Sequence, residues 1–316
     1  MSFNFEIGNR SDVGRVREVN EDYFGSFHGS FGELLVVCDG IGGHKGGETA
    51  SRLAVNVIKN HFENLNADYN AKNELLNALA AANNTIVETA LQDRSLEGMG
   101  STAVIILFKD NLAYTANLGD SRIYLVRDEK VKQLTTDHSL VQQMIDSNML
   151  SPEEAENHPK KNVITKSLGR EGAVEPDTSE PIQLLKNDKF VLCTDGLTNY
   201  VKDEEIFNIA ANNPVQQAAG KLVDLANEKG GSDNITVQIA EVKVDIDIPA
   251  KGVKKKKLLL YFLIGVVLGI AVIGIFKPDI FNYKFLKQVE PDSTKTNLQD
   301  SSSVDSSANL INHDYN

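Results

Sequence analysis

The chain has no tryptophan and only two cysteines, Cys38 and Cys193, among its 316 residues. Both sit inside apolar runs, so a disulfide framework is excluded and the folded part suits a reducing compartment. Buried thiols of this kind behave as small hydrophobes. Histidine is scarce too: there are six, with no HExxH and no paired-cysteine motif, which argues against a zinc centre. Basic residues are outnumbered, 32 Lys and Arg against 44 Asp and Glu, for a net charge of -12. A general nucleic-acid binder needs the opposite balance. No signal-peptide pattern opens at Met1.

Long hydrophobic runs are missing except at residues 258–276, LLLYFLIGVVLGIAVIGIF, nineteen residues without a charge. At helical rise that length just crosses a bilayer core, so a transmembrane helix is expected. Lys251 and the block Lys254, Lys255, Lys256 and Lys257 lie immediately upstream. By the positive-inside rule the preceding residues stay in the cytoplasm and the tail from Lys277 lies outside. Gly265 and Gly269 form a GxxxG pair that permits helix dimerisation. From about Glu290 the tail is rich in Ser, Asp, Asn and Thr and cannot bury a core. The expected organisation is a folded domain over 1–242, a basic juxtamembrane linker over 243–257, a membrane helix over 258–276 and a largely disordered extracytoplasmic tail over 277–316.

Within the folded part, residues 45–66 place Ala50, Leu53, Ala54, Val57, Ile58, Phe62 and Leu65 at helical spacing. Residues 73–92 repeat the pattern through Leu75, Leu79, Ala82, Ile86 and Ala90, which predicts an antiparallel helix pair. Four short β-like runs follow at 101–108, 112–117, 122–127 and 130–134, joined by tight turns and read as a meander of hairpins. Strands at 181–185 and 189–194, a helical region over 203–228 and a last strand over 234–242 complete the series. The stretch between Thr135 and Pro181 is polar, carries Pro152, Pro159 and Pro176, and reads as a surface flap or an ordinary excursion. The block order points to an α+β fold with helices packed outside two sheets.

The chemistry concentrates in Asp39, Asp120, Asp195 and Asp233, each beside Gly, Ser or Asn. Residues 34–38 and 190–194 are apolar strands that each end in an Asp-Gly corner, fixing a carboxylate beside a residue that tolerates close backbone approach. The Gly40 carbonyl is then a possible ligand as well. Glu21 and Asp22 add two acids. A donor set of oxygen alone suits Mg or Mn. Two such ions about 4 Å apart suit phosphoryl ester hydrolysis, because they share a deprotonated water and neutralise the transferring group. Arg17, just upstream of Glu21 and Asp22, is a candidate to orient a phosphate, with Arg15 as its competitor.

The ordered series SDVGRVREVNED, VVCDGIGGHKGG, MGSTAV, ANLGDSRIYL, HPKKNVITKSLG, VLCTDGL and GGSDNITV resembles the bacterial metal-dependent Ser/Thr protein phosphatases of type 2C, over roughly residues 3–242. The resemblance implies a central antiparallel β-sandwich flanked by helix pairs, α-β-β-α. It also implies hydrolysis of phosphoserine and phosphothreonine in proteins by a hydroxide bridging two divalent ions, Mn or Mg, in opposition to Ser/Thr kinases. Asp39 would bridge the ions, the Gly40 carbonyl would bind one, and Asp195 and Asp233 would complete the other. Glu21 and Asp22 would act mostly through bound waters, and Asp120 would hold a third, weaker ion shared with Asp195. A hairpin turn is the competing reading for Asp120. Arg17 matches the phosphate-binding arginine, and Asn234 is expected to orient Asp233.

One departure concerns the proton donor. Many eukaryotic relatives place a His directly after the Asp-Gly corner, and here that position is Ile41. His44 is a further candidate, His138 and His158 are expected to be structural, and a metal-bound water is the preferred donor. The stretch 40–47 lacks the Gly-Lys-Ser or Gly-Lys-Thr ending of a nucleotide loop. The expectation is a single-pass membrane phosphatase with a cytoplasmic catalytic domain. A phosphoprotein-binding scaffold and a nucleotide phosphodiesterase are the alternatives.

Overall fold

The computed structural model describes residues 4–243 apart from His44 and Ala67, and these form one compact unit. The expected membrane helix over 258–276, the rest of its linker and the tail lie outside the described residues. Among the described residues no helix is long and apolar enough to cross a membrane.

The chain opens with β1 (Phe5–Asp12), β2 (Tyr23–Gly29), β3 (Gly32–Cys38) and the two-residue β4 (Gly40–Ile41), then α1 (Gly46–Glu63) and α2 (Ala71–Gln92). Next come β5 (Gly100–Ser101), β6 (Ala103–Lys109), β7 (Leu112–Leu118), β8 (Arg122–Arg127) and β9 (Lys130–Gln133). Short helices α3 (Leu140–Asp146) and α4 (Pro152–Glu156) and short strands β10 (Asp177–Thr178) and β11 (Ile182–Gln183) follow. The unit ends with β12 (Lys189–Cys193), α5 (Asp195–Thr198), α6 (Asp203–Asn212), α7 (Val215–Glu228) and β13 (Ile235–Val242).

Two large antiparallel sheets result, one ordered β1-β13-β12-β8-β9 and the other β10-β7-β6-β3-β2 with β11 also on β7, and β4 pairs with β5 in a small third. The alternation of side chains along each strand builds three cores from these two sheets. Leu35 and Val37 face the centre with Phe190, Leu192, Ile123 and Ala240, and Phe108 meets Phe190 edge-on at 5.1 Å. Leu34, Val36 and Cys38 face outward onto α1 and α2. Val191 and Cys193 face outward onto α6 and α7. A strand covered on both faces must be apolar throughout, which is why 34–38 and 190–193 read as unbroken hydrophobic runs. The four layers are the α-β-β-α sandwich that the family resemblance implies.

Two expectations need correction. The helical region over 203–228 is two helices, α6 and α7, separated at Asn213 and Pro214. Proline lacks the N–H a continuing helix needs and pushes its predecessor into extended geometry, and Asn213 accordingly has φ -132° and ψ 152°. The four runs after α2 are not one meander. β6 and β7 pair in one sheet, β8 and β9 pair in the other, and β7 does not pair with β8. Gly119, at φ +111°, turns the chain between sheets, so Asp120 sits in a crossover and not in a hairpin turn. The expected tight turns are present, with Asp110, Asn111, Asp128 and Glu129 all at positive φ. The stretch between Thr135 and Pro181 holds only the short elements α3, α4 and β10, with α4 entered through a Ser151–Glu154 capping box and Pro152.

Candidate active site

Antiparallel register places the acidic residues at one end of the sandwich. Tyr23 pairs with Cys38, so Asp22 and Asp39 extend from the same end of β2 and β3. Cys193 pairs with both Arg122 and Val237, so Asp120, Asp195 and Asp233 flank neighbouring strand ends. A gathering that depends on five strands is invisible to local spacing, yet it follows once the pairs are known.

The Asp39 backbone is gripped from β5 and the residue after it. Thr102 N–H donates to the Asp39 carbonyl at 2.8 Å, Ser101 Oγ donates to the same oxygen at 2.9 Å, and Asp39 N–H donates to Thr102 Oγ1 at 3.0 Å. Gly40 needs its missing side chain: a Cβ there would lie 2.2 Å from the Gly47 carbonyl oxygen and 2.5 Å from that of Glu21. Asp195 opens α5, and its Oδ2 accepts from Asn199 Nδ2 at 3.0 Å. Asp233 Oδ1 accepts from the Asn234 N–H at 2.9 Å.

Burial and mutual repulsion dominate the electrostatics. Burial first, then the charges of Asp22 and Asp195, hold the Asp39 carboxyl well above the usual range. Asp195 is raised by burial and by Asp233, while the hydrogen bond from Asn199 works the other way. Asp22 is pushed up to about 7 by burial and the charges of Asp195 and Asp233, against donors from Thr236 and Thr194. Burial, then Asp195 and Asp137, push Asp120 up to about 8. Like charges brought this close in a dry site favour protons or cations.

Arg17 supplies the nearest positive charge. Its Nη2 donates to Asp233 Oδ2 at 2.9 Å, with 49% of the side chain exposed. Partial burial opposes its charge, but Asp233, Glu21 and Asp39 outweigh that and raise its pKa. Arg15 instead adds its charge beside Asp12, so of the two arginines Arg17 is the one paired with an acid of the cluster.

Among the described residues, no three of these acidic groups converge tightly enough to hold an ion as they stand. Arg17 covers Asp233, and Asp195 Oδ2 is engaged by Asn199. The donor set nonetheless fits hard divalent ions. Every candidate is an oxygen, and the buried Asp22 Oδ1 and Asp120 Oδ1 have no hydrogen-bond partner.

Several residues of the site escaped sequence reasoning. Asn234 does more than orient its neighbour: its side chain accepts from Glu21 N–H at 2.8 Å and donates to the carbonyls of Val13 and Val19 at 3.0 Å each. It thereby holds the segment that carries Arg17. Thr194 and Thr236 donate to Asp22, and Arg122 grips Asp137 through Nε and Nη2. A Thr-Asp-Gly or Asp-Asn-Ile-Thr string offered a hint, but hydroxyl partners across 172 and 214 residues of separation leave no local signal.

His138 is structural, as expected. Its Nδ1 accepts from Gly119 N–H at 3.1 Å, and its Nε2 faces Asp177 at 3.3 Å without hydrogen-bond alignment. Burial lowers its pKa, with Asp177 opposing. His158 Nδ1 accepts from Lys160 N–H. His44 lies outside the described residues. Both thiols are buried and pushed up by burial, Cys193 to about 12.

Comparison with known proteins agrees with this arrangement. Residues 14–234 match the family model described as Protein phosphatase 2C. The chain is 37% identical over 248 residues to the serine/threonine phosphatase Stp of Listeria monocytogenes serovar 1/2a, covering 77% of this chain and 96% of that one. It is 38% identical over 240 residues to the protein phosphatase PhpP of Streptococcus pneumoniae, covering 75% and 97%. The solved structure of the Mycobacterium tuberculosis serine/threonine phosphatase PstP/Ppp is 36% identical, with a TM-score of 0.70 over 76% of this chain and 99% of that one. A PstP catalytic domain solved in complex with two manganese ions is 34% identical, with a TM-score of 0.68 over 76% and 99%. With buried carboxylates at the strand ends and a matching sequence across most of the folded unit, the chain belongs to the protein phosphatase 2C family.

Proposed function

We propose that this chain hydrolyses phosphoserine and phosphothreonine in proteins, with Asp39, the Gly40 carbonyl, Asp195 and Asp233 holding two divalent ions, Mn or Mg. Glu21 and Asp22 would contribute through bound waters, and Asp120 would hold a third ion with Asp195. The observation that carries this reading is the gathering of buried Asp22 and Asp120 with partly buried Asp39 and Asp195 beside one half-exposed arginine. The relatives named as serine/threonine phosphatases support turnover over phosphoprotein scaffolding.

When bound, the ions supply positive charge for the phosphoryl oxygens and lower the pKa of water. The protein supplies placement. Arg17 stands at the exposed side of the cluster, where its planar fork matches two phosphoryl oxygens of an entering monoester. Ser101 and Thr102 hold the Asp39 backbone rigid during the reaction. Both thiols are buried and Thr194 and Thr236 are committed to Asp22, so none of these four supplies a free nucleophile. In this reading water is the attacking group, and no phosphoenzyme forms. Ile41 stands where eukaryotic relatives place a side-chain acid, and His138 is tied to Gly119; in this reading water is the donor to the leaving oxygen.

The location belongs to the same reading. The uncharged stretch 258–276 behind Lys254–Lys257 supports a single-pass anchor with the catalytic unit in the cytoplasm. Tethering there raises its concentration toward membrane-bound Ser/Thr kinases and their phosphorylated substrates. The test is phosphate release from a phosphothreonine peptide with Mn, with Mg and with chelator, alongside Asp39→Asn. Metal-dependent release that the variant loses is the expected result, and a folded protein silent under every condition would overturn it. Membrane fractionation with and without 258–276 tests the anchor.

A further inference from the structure

Asp22 is 6% exposed, and its two carboxylate oxygens are treated unequally. Oδ2 accepts from Thr236 Oγ1 at 2.7 Å and from Thr194 Oγ1 at 3.0 Å. Oδ1 is buried and meets no donor.

The donors are themselves oriented. Thr194 Oγ1 accepts from the Thr236 backbone N–H at 3.0 Å, so its single proton is left for Asp22. Thr236 gives its proton to Asp22, so Ser11 Oγ, 2.7 Å away, must donate to Thr236. Ser11 Oγ in turn accepts from Asn20 Nδ2 at 2.8 Å, and Asn20 Oδ1 accepts from the Asp22 backbone N–H at 3.1 Å. The chain of bonds closes on the residue where it started. An amide nitrogen only donates, so Asn20 fixes the direction around the ring. The ring joins β1, the segment after it, β13 and the residue that precedes α5.

All of these partners are neutral. A lysine or arginine in their place would fix the carboxylate equally well but cancel its charge, whereas hydroxyls hold it and leave the charge for a cation. We infer that Thr194, Thr236, Ser11 and Asn20 are positioning residues that occupy Asp22 Oδ2 and keep Oδ1 directed toward the acidic cluster, thereby setting divalent-ion affinity. This rests on the metal-dependent reading above.

The experiment titrates Mn2+ into the full chain, kept in detergent, by calorimetry and by the loss of the free Mn2+ electron-spin signal. Wild type, Thr236→Val and Thr236→Ser are compared, with circular dichroism and chelator melts to confirm folding. Removing such outer partners typically weakens metal binding by about 10–100-fold. Thr236→Val should weaken the tightest Mn2+ phase about tenfold or more, and Thr236→Ser, which restores the hydroxyl, should bind within about threefold of wild type. At saturating Mn2+ the KM for a phosphothreonine peptide should stay unchanged, because the ring does not touch substrate. A folded Thr236→Val that binds Mn2+ within about twofold of wild type overturns the positioning role alone, since the expected loss is at least tenfold. A wild type that binds no Mn2+ overturns the metal reading beneath it. If Thr236→Val does not fold, Thr194→Val removes the other donor to Oδ2 and decides by the same thresholds.

Discussion

Asn234 ties three backbone groups around the site together, and Asn234→Ala measures how much that is worth. The side chain is 4% exposed and makes three hydrogen bonds, accepting from Glu21 N–H and donating to the carbonyls of Val13 and Val19. Each such bond contributes about 1 kcal/mol net, and a buried partner left without a bond raises the cost. The variant should therefore lose about 2 to 4 kcal/mol. For a folded unit of this size that corresponds to a fall in Tm of about 5 to 15 °C. Arg17 lies between the two released carbonyls, so the loss reaches function as well as stability. We expect kcat/KM for a phosphothreonine peptide to fall at least about tenfold in protein that is still folded at the assay temperature, as misplacement of a substrate-binding group does elsewhere. Asn234→Asp is a useful companion: it keeps an acceptor for Glu21 but sets a negative charge against two carbonyl oxygens, and should be no more stable than the alanine variant. Denaturant melts and steady-state kinetics on both variants suffice. An Asn234→Ala protein that melts within about 1 °C of wild type and turns over normally would refute the reasoning, because three buried bonds cannot vanish without cost.

Three other outcomes follow from the same geometry. In chelator, the raised carboxyls of Asp22 and Asp120, at about 7 and 8, keep protons in the folded protein that the unfolded chain releases near pH 4, so stability should fall as pH rises from about 5 to 8, by about 1.4 kcal/mol per pH unit for each such proton. Saturating Mn2+ should recover the loss at the upper end, and a metal-free Tm that is flat or rising over that window would contradict the burial of these acids. Gly47→Ala sets two effects against each other: alanine favours the helix by up to about 1 kcal/mol, but its methyl would stand 2.8 Å from the Glu21 carboxyl carbon and 2.9 Å from the Gly40 carbonyl carbon. Backbone cannot yield as a side chain does, and overpacking costs about 1–3 kcal/mol, so the variant should melt lower and need more Mn2+; a more stable, fully active protein would show the contact to be soft. Arg17→Lys keeps the charge 2.9 Å from Asp233 but loses the planar fork, so KM for phosphopeptide should rise several-fold while Tm barely moves, and an unchanged KM would remove Arg17 from phosphate binding.

Much of this site was legible because its strands are covered on both faces. Residues 34–38 and 190–193 are continuous apolar runs, and the acid that follows each is conspicuous for that reason. β1 and β2 were not legible: seven of the eight β1 residues and all seven β2 residues are partly buried or exposed, and no run or alternation marks them. The crossover at Asp120 could not be read locally, because Leu118, Gly119, Asp120 and Ser121 carry the composition of a hairpin turn and only the sheet assignments of β7 and β8 reveal otherwise. Pro214 was visible, but apolar spacing continues on both sides of it through Ile206, Ala210, Ala218 and Leu222, and that periodicity masked the break. The threonines beneath Asp22 were the least legible of all. A hydroxyl in a strand fits a pleated, half-buried surface whether or not it has a partner, so only the fold gives Thr236 a role.

The acidic end of the sandwich and its apolar interior are opposite consequences of the same strands. Buried carboxylates that repel one another cost several kcal/mol unless paired, and among the described residues Arg17 is the cation that makes an ion pair within the cluster, with Arg122 already engaged by Asp137. Three cores sharing two sheets can sustain that cost, since a fully buried Leu, Ile or Phe stabilises by about 1.5–3 kcal/mol and each central strand contributes several on both faces. The cores also make the cost unavoidable: residues 34–38 cannot slip without turning Leu35 and Val37 away from the centre, so Asp39 has no route away from Asp195. Repulsion that cannot relax is relieved by a proton or by a cation. On the proposed metal reading, the rigidity that holds these acids together without ions is what favours binding them, and metal loading and stability are coupled through the carboxylates of the cluster.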